Sequence, residues 1–483
     1  MITRSQVEEV INQAESDFSH CWEILASVKK GQFEADSKIS LVRFQPTLAT
    51  AIFNLTHVYR KIEQESRALV SQKLRYSQAW FHKRIRFLSK EQKKLNSTIA
   101  IGKGIGDAFA LFFYQRDPHY ISVHLAQPSQ IHVPPGIGGA GELEFAKNVS
   151  NVRGYFAVYH GITNLLRLGD ITLIDLKHFR VAGIGEIKSH YVEPGLLRIS
   201  RLVSGPGLEL PQDVETMTAA NQGDQSNSIY TNLSPSNRDR LKRQLKKITE
   251  SYKKLAQIPD TKLELETSSS YKNLSRFVAS LRSPRLQYSK LTTGLLVCGY
   301  KERARSLYRK LSPMHHLDVS TRLDGLEAAT VSILARGRND NSLHIQPFFY
   351  ETDYSTCHLP GMTHIAWWPN SDDVIRKILF QDVCLFTILN TAHLVEKLEA
   401  SGWSIEDKDR PLGRVKVSKT YDRSTLLAEG MSYYMSMIQQ YFISEDVVIS
   451  LLAEVEKQVD SAGPTLPQRI SLLLNQKFGP PSV

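Results

Sequence analysis

Apolar positions recur at helical spacing through the first hundred residues. Val7, Val10, Ile11, Ala14 and Phe18 fall three or four apart, the stripe of an amphipathic helix. A second stretch, from about Pro46 to Leu95, keeps Ile52, Leu55, Val58 and Ile62 in helical register, with no Pro or Gly after Pro46. From about Thr98 the pattern changes. Residues 107–114 read as a buried helix, 134–141 (PPGIGGAG) as a loop and 142–149 as a short helix. Runs of β-branched and aromatic residues then predict strands over 154–163, 169–176 and 180–188, with a fourth at 196–203.

Residues 211–237 are rich in Gln, Asn, Ser, Thr and Asp and read as a polar linker. A helix over 238–254 follows. Beyond residue 270 the pattern alternates: strands at 295–299, 330–335 and 343–350, helices at 301–311, 372–400 and 424–442. No internal repeat is visible. The expected fold class is mixed α/β, with a helical basic N-terminal region at 1–97, a core at 98–210, the linker at 211–237 and a C-terminal α/β region at 238–483.

Composition narrows the class. Hydrophobic residues are 41% and charged residues 23%, which excludes collagen-like, purely coiled-coil and wholly disordered chains. Sixty Lys and Arg against 49 Asp and Glu give a net charge of +11 and favour a polyanionic partner. The excess is concentrated. Between Tyr59 and Lys94 eleven cations face three Glu, and 238–254 carries eight cations against two acids. Arg75, Lys83, Arg84 and Arg86 in the first cluster, and Arg240, Lys242, Arg243, Lys246 and Lys247 in the second, are the candidate nucleic-acid contacts; a solvated basic face is the plainer alternative. Lys301, Arg303, Arg305, Arg309 and Lys310 predict a third basic helix.

Cys21, Cys298, Cys357 and Cys384 make no CxxC pair, so no ribbon or finger zinc site is expected, and reduced thiols in a cytoplasmic protein are the simple reading. The charged N-terminus lacks the apolar run of a signal peptide, and the apolar stretch 378–389 is shorter than a spanning helix needs. No membrane partner is expected.

The stretch carrying chemistry is Gly169-Asp170-Ile171-Thr172 followed by Gly185-Glu186-Ile187-Lys188. Period-2 alternation puts Glu186 and Lys188 on one face of a strand. A hairpin turning near His178 has an index sum of 356, which sets Asp170 opposite Glu186 with Cβ atoms about 5 Å apart. Adjacent carboxylates repel, and a hard divalent cation, Mg²⁺ or Mn²⁺, relieves that repulsion. Such an ion beside a Lys suits hydrolysis of phosphodiesters.

This constellation resembles the PD-(D/E)XK, restriction-endonuclease-like, nuclease superfamily over about residues 140–205. The resemblance implies an αβββαβ core within 98–210, metal binding by Asp170 and Glu186, and a Lys188 that serves the attacking water. It also implies a further acid from the first helix, where Glu142 and Glu144 are available and Glu144 is preferred. Gly169 stands in place of the name-giving Pro. The expected activity is a Mg²⁺-dependent nuclease acting on DNA, with endonuclease the expected mode. The alternative is a non-catalytic nucleic-acid-binding or assembly protein with a degenerate nuclease fold. Stand-alone cores with large appended regions resemble prokaryotic defence effectors, which implies an antiviral setting; the C-terminal half would then dock a second copy or a protein partner.

Weaker signals compete. Gly102-Lys103-Gly104-Ile105-Gly106 is glycine-rich but has neither dinucleotide nor P-loop spacing. His119, His124, His132 and His160 lie near the candidate site in sequence, and a structural role is the plainer reading of His160. Trp367-Trp368 before Pro369 suits a core anchor or, less simply, a base-stacking plate.

Overall fold

In the computed structural model the chain is mixed α/β and divides into two units, Met1–Ile258 and a second drawn from Pro259–Gly479. The structure describes residues 1–30, 35–114, 119–128, 132–134, 136–152, 154–193, 196–204, 215–218, 250, 260–265, 270–282, 286–311, 345–349, 364–406, 416–421, 424–428, 431–462 and 469–474.

The first unit opens with three long helices: α1 (Arg4–Lys29), α2 (Ala35–Ser71) and α3 (Gln78–Tyr114). A capping box between Thr3 and Gln6 starts α1, whose Val7, Ile11, Ala14 and Phe18 are all buried. The expected single stretch from Pro46 to Leu95 breaks in two at a 3-10 turn, Lys73–Arg75. The signal is Ser77, whose hydroxyl accepts the Trp80 N–H and caps α3.

Helix α3 runs through the expected boundary at 97/98, so the basic region and the core form one unit. The glycine-rich run 102–106 is helix interior and not a loop that opens a helix. Its glycines serve close packing. A Cβ on Gly102 would meet the Phe18 ring at 2.4 Å, and one on Gly106 would meet the Ile162 carbonyl oxygen at 1.9 Å. Nucleotide binding by this run has no support, because its backbone N–H groups are spent inside the helix.

Helix α4 (His119–Leu125) and helix α5 (Ile137–Asn148) lead into six strands: β1 (Asn151–Val152), β2 (Tyr155–Tyr159), β3 (Ile171–Asp175), β4 (Arg180–Glu193), β5 (Leu196–Ser204) and β6 (Glu215–Thr218). They pair in sequence order, every neighbour antiparallel. Helix α5 packs on α2 and β4. The expected helix–strand–strand–strand order is present. Among the described residues β4 then continues into the β5 hairpin and not into a second helix, and β6 lies inside the expected linker.

The β3–β4 turn places Phe179 at φ 50, while the Asp175 carboxylate accepts the N–H groups of Lys177 and His178. Phe179 then stacks on Phe113, which also meets Phe156, with Phe44 stacked on Phe109 nearby. This aromatic core joins α2, α3 and the sheet; each such pair is worth about 0.5–1.5 kcal/mol beyond area burial.

The second unit holds a four-stranded antiparallel sheet in the order Ile345–Phe349, Val383–Asn390, Leu295–Lys301, Gln287–Lys290. The expected helix over 372–400 is two helices, Asp372–Leu379 and Thr391–Ala400, around the central strand Val383–Asn390. A continuous apolar run carries no period that separates a buried strand from a buried helix. The expected helix 424–442 is likewise strand Ser424–Ala428 then helix Met431–Tyr441. The third basic helix shrinks to Leu307–Lys310; Lys301 ends a strand, and Lys310 is buried in an ion pair with Asp382 at 2.5 Å. Trp367 and Trp368 are buried, and Trp368 packs on Tyr271 and Phe442, so neither is a base-stacking plate. The expected strand 330–335 lies outside the described residues.

Candidate active site

The pairing of β3 with β4 sets the site. Ile171 opposes Gly185 and Thr172 opposes Ile184, an index sum of 356, and the Asp170 N–H donates to the Gly185 carbonyl at 2.8 Å. Asp170 therefore sits against Glu186, with the two carboxyl groups in hydrogen-bond contact. The register slips by one between Leu173 and Ile174: the turn pair Asp175 and Arg180 has an index sum of 355, and the bulge brings the sum to 356 at the site. The Ile187 N–H donates to Asp170 Oδ2 at 2.6 Å, and Lys188 Nζ donates to Glu186 Oε2 at 2.9 Å. Asp170, Glu186 and Lys188 thus share one patch.

Helix α5 supplies a further acid, and it is Glu142, not Glu144. Residues two apart on a helix point about 200° apart, so only one can face the sheet. Glu144 lies on the outer side, paired with Lys147 at 3.3 Å and with Asn148. Glu142 faces inward and accepts the Tyr159 hydroxyl at 2.7 Å. Gln45 of α2 anchors the same strand, accepting the Tyr159 N–H and donating to the Ala157 carbonyl.

The electrostatics record the crowding. Burial, then the charges of Glu186 and Glu142, holds the Asp170 carboxyl well above the usual carboxylate range, against the Ile187 N–H. Burial also raises Glu142, opposed by the Tyr159 hydroxyl and by the charges of Lys188 and the buried Lys103. Lys103 thus stands close enough to Glu142 to be felt, a link that its setting in a glycine-rich run concealed. Asp170, Glu186 and Glu142 thus stand close enough together for their charges to be felt. Among the described residues, no three His, Cys, Asp or Glu side chains stand in an arrangement that could hold a metal ion.

The segment before Asp170 is pinned from behind. The Leu168 N–H donates to His124 Nδ1 at 3.1 Å, and His160 Nδ1 lies 2.9 Å from the Gly169 carbonyl. A peptide N–H only donates and a carbonyl only accepts, so the protons of the neutral rings are assigned. His124 Nε2–H donates to Tyr114 Oη, Tyr114 O–H to Thr172 Oγ1, and Thr172 O–H to His160 Nε2, at 3.1, 2.7 and 2.7 Å. Burial holds His124 well below its ordinary value and takes His160 down to about 3, so both rings are neutral. Gly169 has φ +74, and a Cβ there would meet Ile184 at 2.7 Å. The His160 N–H closes the clamp by donating to the Asp170 carbonyl at 2.9 Å. His160 is a structural residue with both ring nitrogens engaged. On the α3 side, buried Asp107 accepts the N–H groups of Asn164 and Leu165.

No family model, curated protein or solved structure matches the chain.

The expected nucleic-acid residues separate into three groups. Arg84 is engaged, donating to Glu65 Oε1 at 2.5 Å and to the Ile2 carbonyl at 2.7 Å. Arg75, Lys83 and Arg86 are exposed near the α2–α3 turn. Arg240, Lys242, Arg243, Lys246 and Lys247 lie outside the described residues. No helix among the described residues is long and apolar enough to cross a membrane.

Proposed function

We propose that the first unit is a metal-dependent phosphodiesterase acting on nucleic acid, with DNA as the favoured substrate, built on a restriction-endonuclease-like arrangement of α5, β2, β3 and β4. One observation carries the reading: Asp170, Glu186 and Glu142 crowd together beside Lys188 although burial and mutual repulsion raise the affinity of Asp170 and Glu142 for protons. Folding alone gains nothing from such crowding, whereas a divalent cation reverses its sign.

Asp170, Glu186 and Glu142 would hold Mg²⁺ or Mn²⁺, with Glu142 in the place first given to Glu144. The ion, when bound, supplies a Lewis acid for the phosphoryl oxygen and acidifies a bound water. The chain's own part is positional. The Ile187 N–H aims Asp170, Tyr159 aims Glu142, and Lys188, half-exposed at the patch, donates a hydrogen bond to the attacking water or to the charge growing on the phosphate. Its contribution is orientation and charge.

Purified protein with Mg²⁺ or Mn²⁺ should cut or nick duplex DNA, and EDTA should stop it. Glu186→Gln and Lys188→Ala should each lower the rate at least about 100-fold, the scale of losing a positioned acid–base or electrostatic group, while circular dichroism stays unchanged. Activity equal to the parent in both variants would refute the assignment. The absence of a ready-made ligating arrangement favours the second reading, a nuclease-like fold that binds without cutting. DNA binding that is salt-sensitive, indifferent to EDTA and never accompanied by cleavage would select it.

A further inference from the structure

The far end of the α2–α3 hairpin has a composition that the catalytic patch does not account for. From Ser66 to Lys90 the chain carries seven cations and no acid. Arg75, Lys83 and Arg86 are exposed, and among the described residues they form no ion pair. Between them Tyr76 stacks on Trp80 with ring centroids 4.7 Å apart, and Trp80 remains 37% exposed. Leu74 at the turn is fully exposed. A helix hairpin that existed only to support the sheet would have no need of a solvent-facing aromatic plate ringed by unopposed cations.

Its distance from the patch follows from helix geometry. Gln45 is bonded to Tyr159, which holds Glu142. Ser71 lies 26 residues further along α2, about 39 Å at a rise of about 1.5 Å per residue. Along α3, Trp80 precedes Lys103, whose charge Glu142 feels, by 23 residues or about 35 Å. Both routes put the turn some 35–39 Å from the acids, about 11 base pairs of duplex at about 3.4 Å each.

We propose that the α2–α3 turn is a remote docking point for the same nucleic acid, gripping its backbone about 11 base pairs from the bond at the acidic patch. This rests on the nuclease reading, and it narrows the substrate to duplexes long enough to span both points. Positive charge spread along the hairpin complements a polyphosphate backbone. Tyr76 and Trp80 offer a flat face to a sugar or an unstacked base. Cations spaced over 25 residues with no acid among them favour a linear polyanion over a lipid surface, for which exposed Leu74 is the competing sign.

The test uses the full chain. In EDTA, where catalysis plays no part, binding to a labelled duplex of about 24 base pairs is followed against salt. The triple variant Arg75→Ala, Lys83→Ala, Arg86→Ala should lower the slope of log K on log salt by about 2.7, at about 0.9 per phosphate contact. Trp80→Ala should weaken binding about five-fold or more at unchanged slope, the lower end for one stacked base. In Mg²⁺ the triple variant should raise KM and keep kcat on the long duplex, and behave as the parent on duplexes of about 8 base pairs. An unchanged slope overturns the proposal, as does equal damage on short and long duplexes. Tip-dependent binding to phosphatidylserine vesicles with DNA binding untouched would assign the surface to lipid instead. A parent that leaves DNA uncut refutes the nuclease reading alone, because the salt slope is read without cleavage.

Discussion

Thr172→Val is the sharpest probe of the scaffold behind the site. The side chains are nearly isosteric, so packing changes little, but the hydroxyl at the centre of the buried chain is lost. Tyr114 O–H then loses its Thr172 acceptor, and His160 Nε2 loses its donor, both in a fully buried setting. Each buried group deprived of its partner costs about 1–3 kcal/mol. Two such losses, less the small gain from burying a methyl, predict about 2–4 kcal/mol. Thr172→Ser keeps the hydroxyl and should cost about 1 kcal/mol, the loss of one buried methyl. Tyr114→Phe should fall between them, because it deprives only the His124 Nε2–H of its acceptor while Thr172 still serves His160. Scanning calorimetry of the full chain gives the order through the transition of the first unit, since two units need not unfold as one. The same order should appear in cleavage rate, because the chain ends on Leu168 and Gly169, the two residues before Asp170. A Val variant as stable as the parent, or a Ser variant as damaged as Val, would refute the donor assignment.

Gly106→Ala should destabilise the first unit by at least about 2 kcal/mol, measured by urea denaturation, because its methyl must displace the Ile162 backbone and not a pliant side chain. Burial takes Asp107 up to about 7 while its unfolded value stays near 4, so the folded state keeps a proton that the unfolded state has released. Its contribution to stability therefore falls as pH rises from about 4 to about 7, and the Tm advantage of Asp107→Asn over the parent should grow through that window and then level off. For His160 the sign is opposite. A folded value near 3 against an unfolded value near 6.5 makes stability fall as pH drops below about 6.5, and the parent's Tm relative to a His160→Gln variant should decline there. Arg84→Ala should lower Tm through loss of the half-buried Glu65 pair and the Ile2 carbonyl contact, with DNA affinity unchanged, whereas Lys83→Ala should do the reverse.

What the sequence makes legible here depends on the range of the cause. The alignment of Asp170 with Glu186 is local, but the turn alone does not fix it: counted from Asp175 opposite Arg180 the index sum is 355, and the bulge beyond Leu173 brings it to 356 at the acids. Glu142 against Glu144 was not decidable that way. Both belong to one short helix, and the choice depends on which face meets β4 and on Tyr159, a residue on another strand. The helix at 102–106 was hidden for a related reason. Glycine is a poor helix former by itself, and its presence is explained only by Phe18 and Ile162, distant in sequence, against which the helix must close. The central strand at Val383–Asn390 was lost because apolar residues on both faces erase the period of two. The misread elements therefore share one property: partners remote in the chain specify them. The acidic patch combines both kinds, and this bears on how it should respond to change. Substitutions in the β3–β4 hairpin act on the acids directly, while those in α3, from Lys103 to Tyr114, act through packing and through the clamp on residues 160–170. The second group should lower stability and activity together. Lys188→Ala, half-exposed and bonded only to Glu186 among the described residues, should lower activity alone. If Lys188→Ala instead cost as much stability as Gly106→Ala, the lysine would be a structural counter-charge to Glu186, and the reading of the patch as a place of chemistry would lose its main support.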